Sequence, residues 1–513
     1  MMKNYFLTFI FCFVALSKVS AKRYYVNQNA EGNNSGLSWG NAFTTIQNAL
    51  GVATSGDEIW VAAGTYYPTS SLDRDASFNM KNGVHVFGGF VGVESDISDR
   101  DQTSNFTILS GDIGVKNDNS DNSKTIMRFE SINADIIFDG FRIDGGNNMA
   151  DDNIEGGTAI SLINNSAKIF LTNIMVSNCR AYRKSAVYIF NSRVNATSCL
   201  FSMNSSIMLA GAIYAGSNSD LSISNSQFER NSANLGAALD FQGKNLEMDR
   251  CDISRNTCSQ GRIINVGQAV EDFVISNSLI VGNLAISANV LASSSVKQNA
   301  VKIINSTIAG NSASNSFAST IYKYPEASPM MIYNCIVWDN GNNLEVNQQN
   351  LVYNSIVKNG YSTGINVIDS DPLFKAPGSS SSAPFAASTY NYSLKNNSPA
   401  ISAGNNTFVE GYEKDFLGHD RIVNGIVDLG AIEFEEILAS DEAKTSNKFI
   451  YSRSNKSILI LDKQLVNKTM AVFDMQGRKI IENKIASNIV KLNLSRGLYV
   501  VQIENKVIKI NVD

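Results

Sequence analysis

Histidine and proline are nearly absent: His85 and His419 are the two histidines, and seven prolines serve 513 residues. Charge is thin as well, at 17% of residues, with 42 basic against 47 acidic groups for a formal net charge of −5. That balance offers no global attraction to nucleic acid or to an anionic membrane, so neither is expected as a partner. Past the N-terminus no long apolar run appears, and no transmembrane segment is expected in the mature chain. There is no phosphate-binding loop, dinucleotide fingerprint, zinc-ligand spacing or Ser/His/Asp set, so no cofactor and no metal is expected. Cysteine is scarce and its number unhelpful to bridging. Cys12 lies in the N-terminal apolar stretch, which leaves five: Cys179, Cys199, Cys251, Cys258 and Cys335. An odd count argues against a full disulfide framework.

What is present begins with a secretory pattern. Lys3 supplies a positive start, Tyr5 to Leu16 an apolar stretch, and Val19-Ser20-Ala21 the small residues of a cleavage site. The stretch is shorter than the roughly 20 residues that span a bilayer. Residues 1–21 are therefore expected to be a signal peptide, the mature chain to begin near Lys22, and the protein to be exported.

The body of the chain repeats. The string apolar-x-apolar-x-Asn-(Ser/Cys)-x-apolar-x-x-Asn is clearest from Leu221 to Asn231 and recurs with anchors at Cys199, Ser226, Cys251, Ser278, Ser306 and Cys335. Weaker copies centre on Asn173 and Ser355, giving spacings of 26, 27, 25, 27, 28, 29 and 20 residues. Three residues before each anchor stand Phe170, Ala196, Ile223, Met248, Ile275, Ile303, Ile332 and Val352. Two residues after it stand Met175, Phe201, Phe228, Ile253, Ile280, Ile308, Val337 and Val357. Five residues after it comes an Asn in every copy but the last, from Asn178 to Asn340. Alternation at this period predicts one coil of a right-handed parallel β-helix per repeat, with like residues stacked at about 4.8 Å. The Leu-x-x-Leu-x-Leu pattern of the other common solenoid is missing. Ser or Cys at the anchor suits a narrow bend, and the recurrent Asn suits a left-handed turn and an amide ladder.

Several blocks carry family resemblances. Phe201-Ser202-Met203-Asn204 and Phe228-Glu229-Arg230-Asn231, with Gly211-Ala212-Ile213-Tyr214 and Gly236-Ala237-Ala238-Leu239, resemble the repeats of polymorphic outer-membrane proteins. Ser38 to Phe43, Ile59 to Tyr66, Gly88-Gly89-Phe90, Arg100-Asp101, Ile108 to Asp112 and Phe138 to Ile143 resemble the opening of secreted pectin-lyase-like β-helices. A helix within Ala42–Leu50 would cover the first coil's open edge. Asp371-Pro372-Leu373-Phe374, Ser398 to Gly404, Asp415, Gly418, Arg421 and Asp428 to Glu433 look like the choice-of-anchor Q closing module, which implies surface display.

Charge then inverts. Residues 410–442 hold ten acidic groups against two basic, whereas 447–513 hold twelve basic against five acidic. The tail alternates like a small Ig-like β-sandwich, with a hairpin turn at Asp474 to Arg478 and Leu492 to Val501 before a basic last strand. It resembles the C-terminal sorting domain of the type IX secretion system of Bacteroidetes, although Tyr451-Ser452-Arg453 stands where that family has Pro-Asn. The resemblance implies the secretion machinery as partner, Lys506, Lys509 and Arg496 as basic contacts to it, and the outer-membrane surface or the medium as destination. The expected organisation is an all-β chain: signal peptide 1–21, β-helix with N-terminal cap 22–368, closing module 369–436, linker 437–447 and sorting domain 448–513.

Candidates for chemistry are few. Arg180, Arg183 and Lys184 form the densest basic cluster of the body and could supply a lyase base, or could be a solvated turn. Asp139 and Asp144 could pair across the roughly 6.5–9.5 Å that inverting glycoside hydrolysis needs, but each stands beside glycine and suits a turn. Asp151-Asp152 could meet a cation in a loop. Two readings stay open. One is a noncatalytic surface protein, adhesin-like in binding glycan, or structural; the other is a polysaccharide lyase or glycoside hydrolase working on the lateral face. The first is preferred, because the coils vary freely outside their structural columns.

Overall fold

The computed structural model describes residues 21–512 except 150–155, 287–288, 314–318, 342–343, 424, 435–448, 453–456, 461–464, 475–477, 488, 496 and 505. The signal peptide and the linker expected from the sequence lie outside the described residues, as do Asp151, Asp152 and Arg496. The chain divides into two compact units, 1–435 and 436–513.

The first unit is a parallel β-helix. Its strands run from Arg23–Val26 to Ile365–Ile368 and join one large parallel sheet system, with a second seven-stranded ladder of very short strands at one corner. Pairing follows the repeat. Phe201 lies on Phe228, then Ile253, Ile280, Ile308 and Val337, one per coil. Ala196, Ile223, Met248, Ile275, Ile303 and Ile332 form the neighbouring column. All belong to one continuous apolar core, while the residues that alternate with them along the strands, such as Val274, are turned away by the pleat. At the open N-terminal end, Ile46, Ala49 and Leu50 of helix α1 (Ile46–Val52) join that core, so the first coil's interior is covered.

Two expectations about the repeat need correction. The copy at Asn173 is read one residue out of register. Leu171, not Phe170, pairs with Ala196, and Val176, not Met175, pairs with Phe201. Phe170 and Met175 are half-buried and Asn178 is exposed, while Cys179 takes the ladder position and its N–H donates to Asn204 Oδ1. A strand's faces alternate residue by residue, so a slip of one exchanges inside for outside. The second correction concerns the left-handed turns. The ladder asparagines do not make them; the residue just before does. Met203, Arg230, Arg255, Gly282, Gly310 and Asp339 have φ between 54° and 63°. A second left-handed column precedes the anchors, at Asn173, Ser198, Asn225, Arg250, Asn277, Asn305, Asn334 and Asn354. Each sharp reversal turns the next residue inward, and there the side chain matters.

Asn204, Asn231, Asn256, Asn283, Asn311 and Asn340 are fully buried. Each Oδ1 accepts the backbone N–H, and from Asn231 onward also the Nδ2–H, of the residue one coil earlier, at 2.8–3.2 Å. Each Nδ2 also donates to a carbonyl of the earlier coil, from Val176 to Ile308. The series ends on Glu345, whose buried carboxylate accepts both donors of Asn340. The anchor column does similar work with smaller groups. Ser226, Ser278, Ser306 and Ser355 accept the N–H of Cys199, Cys251, Ser278 and Cys335 at 3.0–3.2 Å, and each donates to the carbonyl two residues back. All five cysteines of the described chain are free and buried; burial pushes the thiols of Cys179, Cys199, Cys251 and Cys335 up to about 12.

Residues 374–434 form no further coil. They lie against the outside of the later coils, where Phe374, Phe385, Tyr392, Leu394 and Leu429 bury Leu279, Val281, Ala309, Ile336 and Ile356. The left-handed residue switches to glycine where this layer touches: a Cβ on Gly282 would sit 2.3 Å from the Phe385 carbonyl, and one on Gly310 2.6 Å from that of Gly378.

The second unit holds two antiparallel sheets. One orders Lys479–Lys484, Thr469–Asp474, Gly497–Ile503 and Lys506–Val512; the other orders Phe449–Ser452, Ser457–Ile460 and Ile489–Lys491. Phe449, Ile458, Met470, Val472, Val501 and Ile503 form its own core.

The corrected register makes a contrast measurable. Phe228→Ala empties a fully buried site and should cost roughly 3–5 kcal/mol. Met175→Ala removes a half-buried side chain and should cost less than about 1 kcal/mol. Urea midpoints of the two variants check this; equal losses would mean that the 173 copy is in the other register.

Candidate functional site

One strand of each coil, Ile213–Ala215 and Leu239–Phe241 among them, places one side chain outward between two inward ones. Stacked through the register, these outward residues are Ser161, Tyr188, Tyr214, Asp240, Asn265, Ala292 and Tyr322. They fall on one lateral face, because Val187 and its successors, and Ile189 with Ala215, Phe241 and Val266, fill the core on either side.

The lower end of the strip is aromatic. The rings of Tyr188 and Tyr214 are parallel at 5.6 Å, and Phe190 lies 6.5 Å from Tyr188. Tyr188 is buried, while Tyr214 is half-exposed and Phe190 open to solvent. Lys184 Nζ stands 5.1 Å from both tyrosine centroids. At the centre, the buried Asp240 accepts Gln242 Nε2 at 2.6 Å and Asn265 Nδ2 at 2.8 Å, both on Oδ1. Burial holds its carboxyl above the ordinary range, against the pull of Asn265, Gln242, Arg262 and Lys184. Burial, and then Asp240, raises the phenol of Tyr214. At the upper end, Tyr322 and Tyr324 meet edge to face at 5.2 Å, and the Arg262 guanidinium lies 5.0 Å from the Tyr324 ring. Arg262 Nε has no hydrogen-bond partner among the described residues. From Tyr214 to Tyr322 is four coils, about 19 Å at the strand spacing.

The face thus offers aromatic surface at both ends, a buried carboxyl with a raised pKa at the centre, and the cations Lys184, Arg183 and Arg262 alongside. Aromatic surface suits the C–H faces of sugar rings, and the fixed amides of Gln242 and Asn265 suit oriented hydroxyls.

The basic cluster expected from sequence divides. Lys184 borders this strip, and the charge of Arg183 acts on Tyr214. Arg180 does not join them: it is exposed in the short corner ladder, paired in register with Ser205 and then Ser232. Asp139 and Asp144 are both engaged structurally. Arg100 pairs with Asp139 at 2.7 Å, with Gln102 and Asn173 donating to the same carboxylate, while Asp144 accepts from Ser177 Oγ at 2.7 Å and Asn178 Nδ2 at 2.6 Å. His85 Nδ1 accepts the N–H of Ile137. In the outer layer, the motif residues form a buried charge cluster. Arg421 pairs with Glu433 at 3.0 Å and donates to the carbonyls of Asp428 and Gly430, while Asp415 and Asp428 accept backbone N–H groups. Tyr214, Asp240, Arg262 and Tyr322 escaped the sequence reading. For Tyr214 and Asp240 the signal was a third column, the residue after the apolar pair in Ala212-Ile213-Tyr214, Ala238-Leu239-Asp240 and Ile263-Ile264-Asn265; Arg262 and Tyr322 do not follow that pattern.

No family model matches the chain, and no curated protein matches it. Among solved structures it is similar to that of the pectate lyase Pel9A, with a TM-score of 0.51 at 14% identity over 82% of this chain and 98% of that one. A complex of XylC with xylose gives 0.39 at 10% identity over 81% and 98%, and a rhamnogalacturonan lyase 0.31 at 11% over 64% and 89%. The first likeness is one of fold, the right-handed parallel β-helix. Among the described residues no helix is long and apolar enough to cross a membrane.

Desolvated carboxyls give the stability of the β-helix unit a direction with pH. Burial raises Asp240, Glu345 and Asp428, lifts Asp252 to about 6 and Glu433 to about 8. A raised acid binds protons more tightly folded than unfolded, so its contribution is complete below the unfolded value near 4 and falls as pH rises through the folded one. The unit should therefore gain stability as pH drops from about 8 to about 5. Asp252→Asn should flatten the lower part of that slope in urea midpoints taken across the range; an unchanged slope would remove Asp252 from the set.

Proposed function

We propose that this is an exported, noncatalytic surface protein that binds an acidic polysaccharide along the Tyr214–Tyr322 face. The observation that carries the reading is the strip itself: aromatic residues at both ends of the run, with the cations Lys184 and Arg262 acting on one central carboxyl that burial holds above the ordinary range. That charge excess favours carboxylated over neutral chains. A second reading has one observation of its own. Asp240 is a buried carboxyl with a raised pKa that feels the charge of Lys184, the kind of pair that acid–base cleavage by a lyase or glycoside hydrolase uses. Polygalacturonate separates the two readings. Retention without unsaturated ends or new reducing ends supports binding alone; turnover abolished by Asp240→Asn would replace it with an enzyme. For binding, Tyr214→Ala and Arg262→Ala should each weaken affinity by about tenfold, roughly 1.4 kcal/mol. Unchanged affinity in both would move the site elsewhere.

The same proposal covers delivery. Residues 1–21 act as signal peptide, 369–436 as the closing module of a surface-displayed β-helix, and 448–513 as the sorting domain read by type IX machinery, with the protein ending on the outer-membrane surface or in the medium. What supports it is the inversion to twelve basic against five acidic residues after 447 and a second unit whose strands pack on a core of their own. Deletion of residues 447–513 should leave a folded β-helix in the periplasm, detected by cell fractionation, and mass spectrometry of the surface form should find neither end. Surface arrival of the deleted form would reduce the tail to an accessory domain.

A further inference from the structure

A different lateral face carries a second groove, formed jointly by the coils and the outer layer. It lies over the strands Asp220–Ser224, Asn245–Asp249 and Asp272–Ser276, and has a volume of about 710 Å³. That is within the ~300–1,000 Å³ of small-molecule sites. One wall is Tyr412, delivered by an arm of the outer layer. The arm is fixed on the coils before it reaches the groove: Phe408 stacks on Tyr333 at 4.1 Å and 9°, and Asn405 exchanges two hydrogen bonds with Asn334 at 2.9 and 3.1 Å. Tyr412 and Glu247 also line a smaller cleft of about 260 Å³, so the ring stands as a fin between two spaces.

The outward rows here are polar, with one exception. Val274 faces the groove and is 9% exposed, an apolar floor in a row otherwise made of Asn195, Ser222, Glu247 and Lys302. The charges cancel: Lys168, Arg193 and Lys302 against Asp220, Glu247 and Asp272, three of each sign. Two of the cations are already engaged, Arg193 with Asp220 at 3.8 Å and Lys302 with Asp272 at 3.0 Å, and Asn245 donates to Asp220 at 2.8 Å. Glu247 has no ion pair or hydrogen bond among the described residues. A groove with no charge excess has no reach for polyanions. An aromatic wall and an aliphatic floor, ringed by fixed carboxylates and an amide, match the alternation of C–H faces and hydroxyls on a sugar.

We propose that this groove binds uncharged saccharide, one ring lying between Tyr412 and Val274 with its hydroxyls donating to Glu247 and meeting the amide of Asn245. The site is separate from the cationic face and stands whether or not that face binds acidic chains.

Calorimetry on the full chain tests it, with cellotriose, mannotriose and maltotriose as neutral probes and trigalacturonate as the charged one. At least one neutral trisaccharide should bind with an affinity that hardly changes with salt. Tyr412→Ala should weaken it by about tenfold or more and Glu247→Gln by several-fold. Glu247 is exposed, so its replacement probes the site without disturbing the fold. Tyr214→Ala should leave neutral binding intact. The proposal is overturned if none of the three neutral probes binds, or if their binding survives both Tyr412→Ala and Glu247→Gln, or is lost with Tyr214→Ala instead. Loss of trigalacturonate binding alone speaks against the cationic face and leaves this groove standing.

Discussion

The rest of the structure hangs on a hydrogen bond that the sheets cannot make for themselves. At the corner of each coil the backbone turns through a left-handed residue, and its N–H and carbonyl groups leave the strand ladder. Six asparagines from Asn204 to Asn340 recover them, each serving the coil before it with both ends of its amide. Buried backbone polar groups without partners would cost on the order of 1–3 kcal/mol each, repeated at every coil. Shared amides also polarise one another when they point the same way. Here they do, and the series stops on a carboxylate. Glu345 can accept but, once ionised, cannot donate, which is what the last amide requires.

With the inside fixed by columns, the outside is free to differ from face to face. The same alternation that stacks Phe201 on Phe228 turns Tyr188, Tyr214 and Asp240 outward on one side and Asp220, Glu247 and Val274 on another. A site on such a scaffold is a column of residues about 25–29 apart in sequence, and its length is set in units of one coil. The outer layer adds what stacking alone does not provide, a wall rising from the sheet.

The interior was readable because stacking forces repetition. The columns through Ile223 and Phe228, and the asparagines from 204 onward, announce themselves by period alone. The Asn173 copy misled because Ile174 holds the anchor position where the other copies have Ser or Cys, and Asn173 stands just before it. An asparagine in the left-handed position before the anchor then looks like the anchor itself. The position of the outer layer was also written in the sequence and passed over. Outward residues change from Gln227, Glu229 and Asp252 to Leu279, Val281, Ile336 and Trp338, and the turn residue becomes glycine at 282 and 310. The sites were harder, because nothing repeats in them. Tyr214, Asp240, Asn265 and Ala292 share a column but not a residue type. The tempting carboxylates Asp139 and Asp144 sit at chain reversals, where an acid is needed to hold the turn, and Asp139 answers to Arg100 across 39 residues.

The one-way asparagine series has a consequence for how such a chain can change length. Its first donor and its last acceptor are fixed, at Cys179 and Glu345, but every link between them is the same link. A stretch such as 227–251 could be excised whole, or copied, and Asn204 would find Asn256 where it had found Asn231, with no orphaned amide at the splice. Unequal exchange between repeats in the gene would then yield folded proteins of different reach. Such exchange would act on the two lateral faces at once, since one coil carries a rung of each. The spacing between Tyr214 and Tyr322 and the position of Tyr412 over its groove are therefore tied to a single count of coils, and neither ligand's length can be retuned by that route without disturbing the other's.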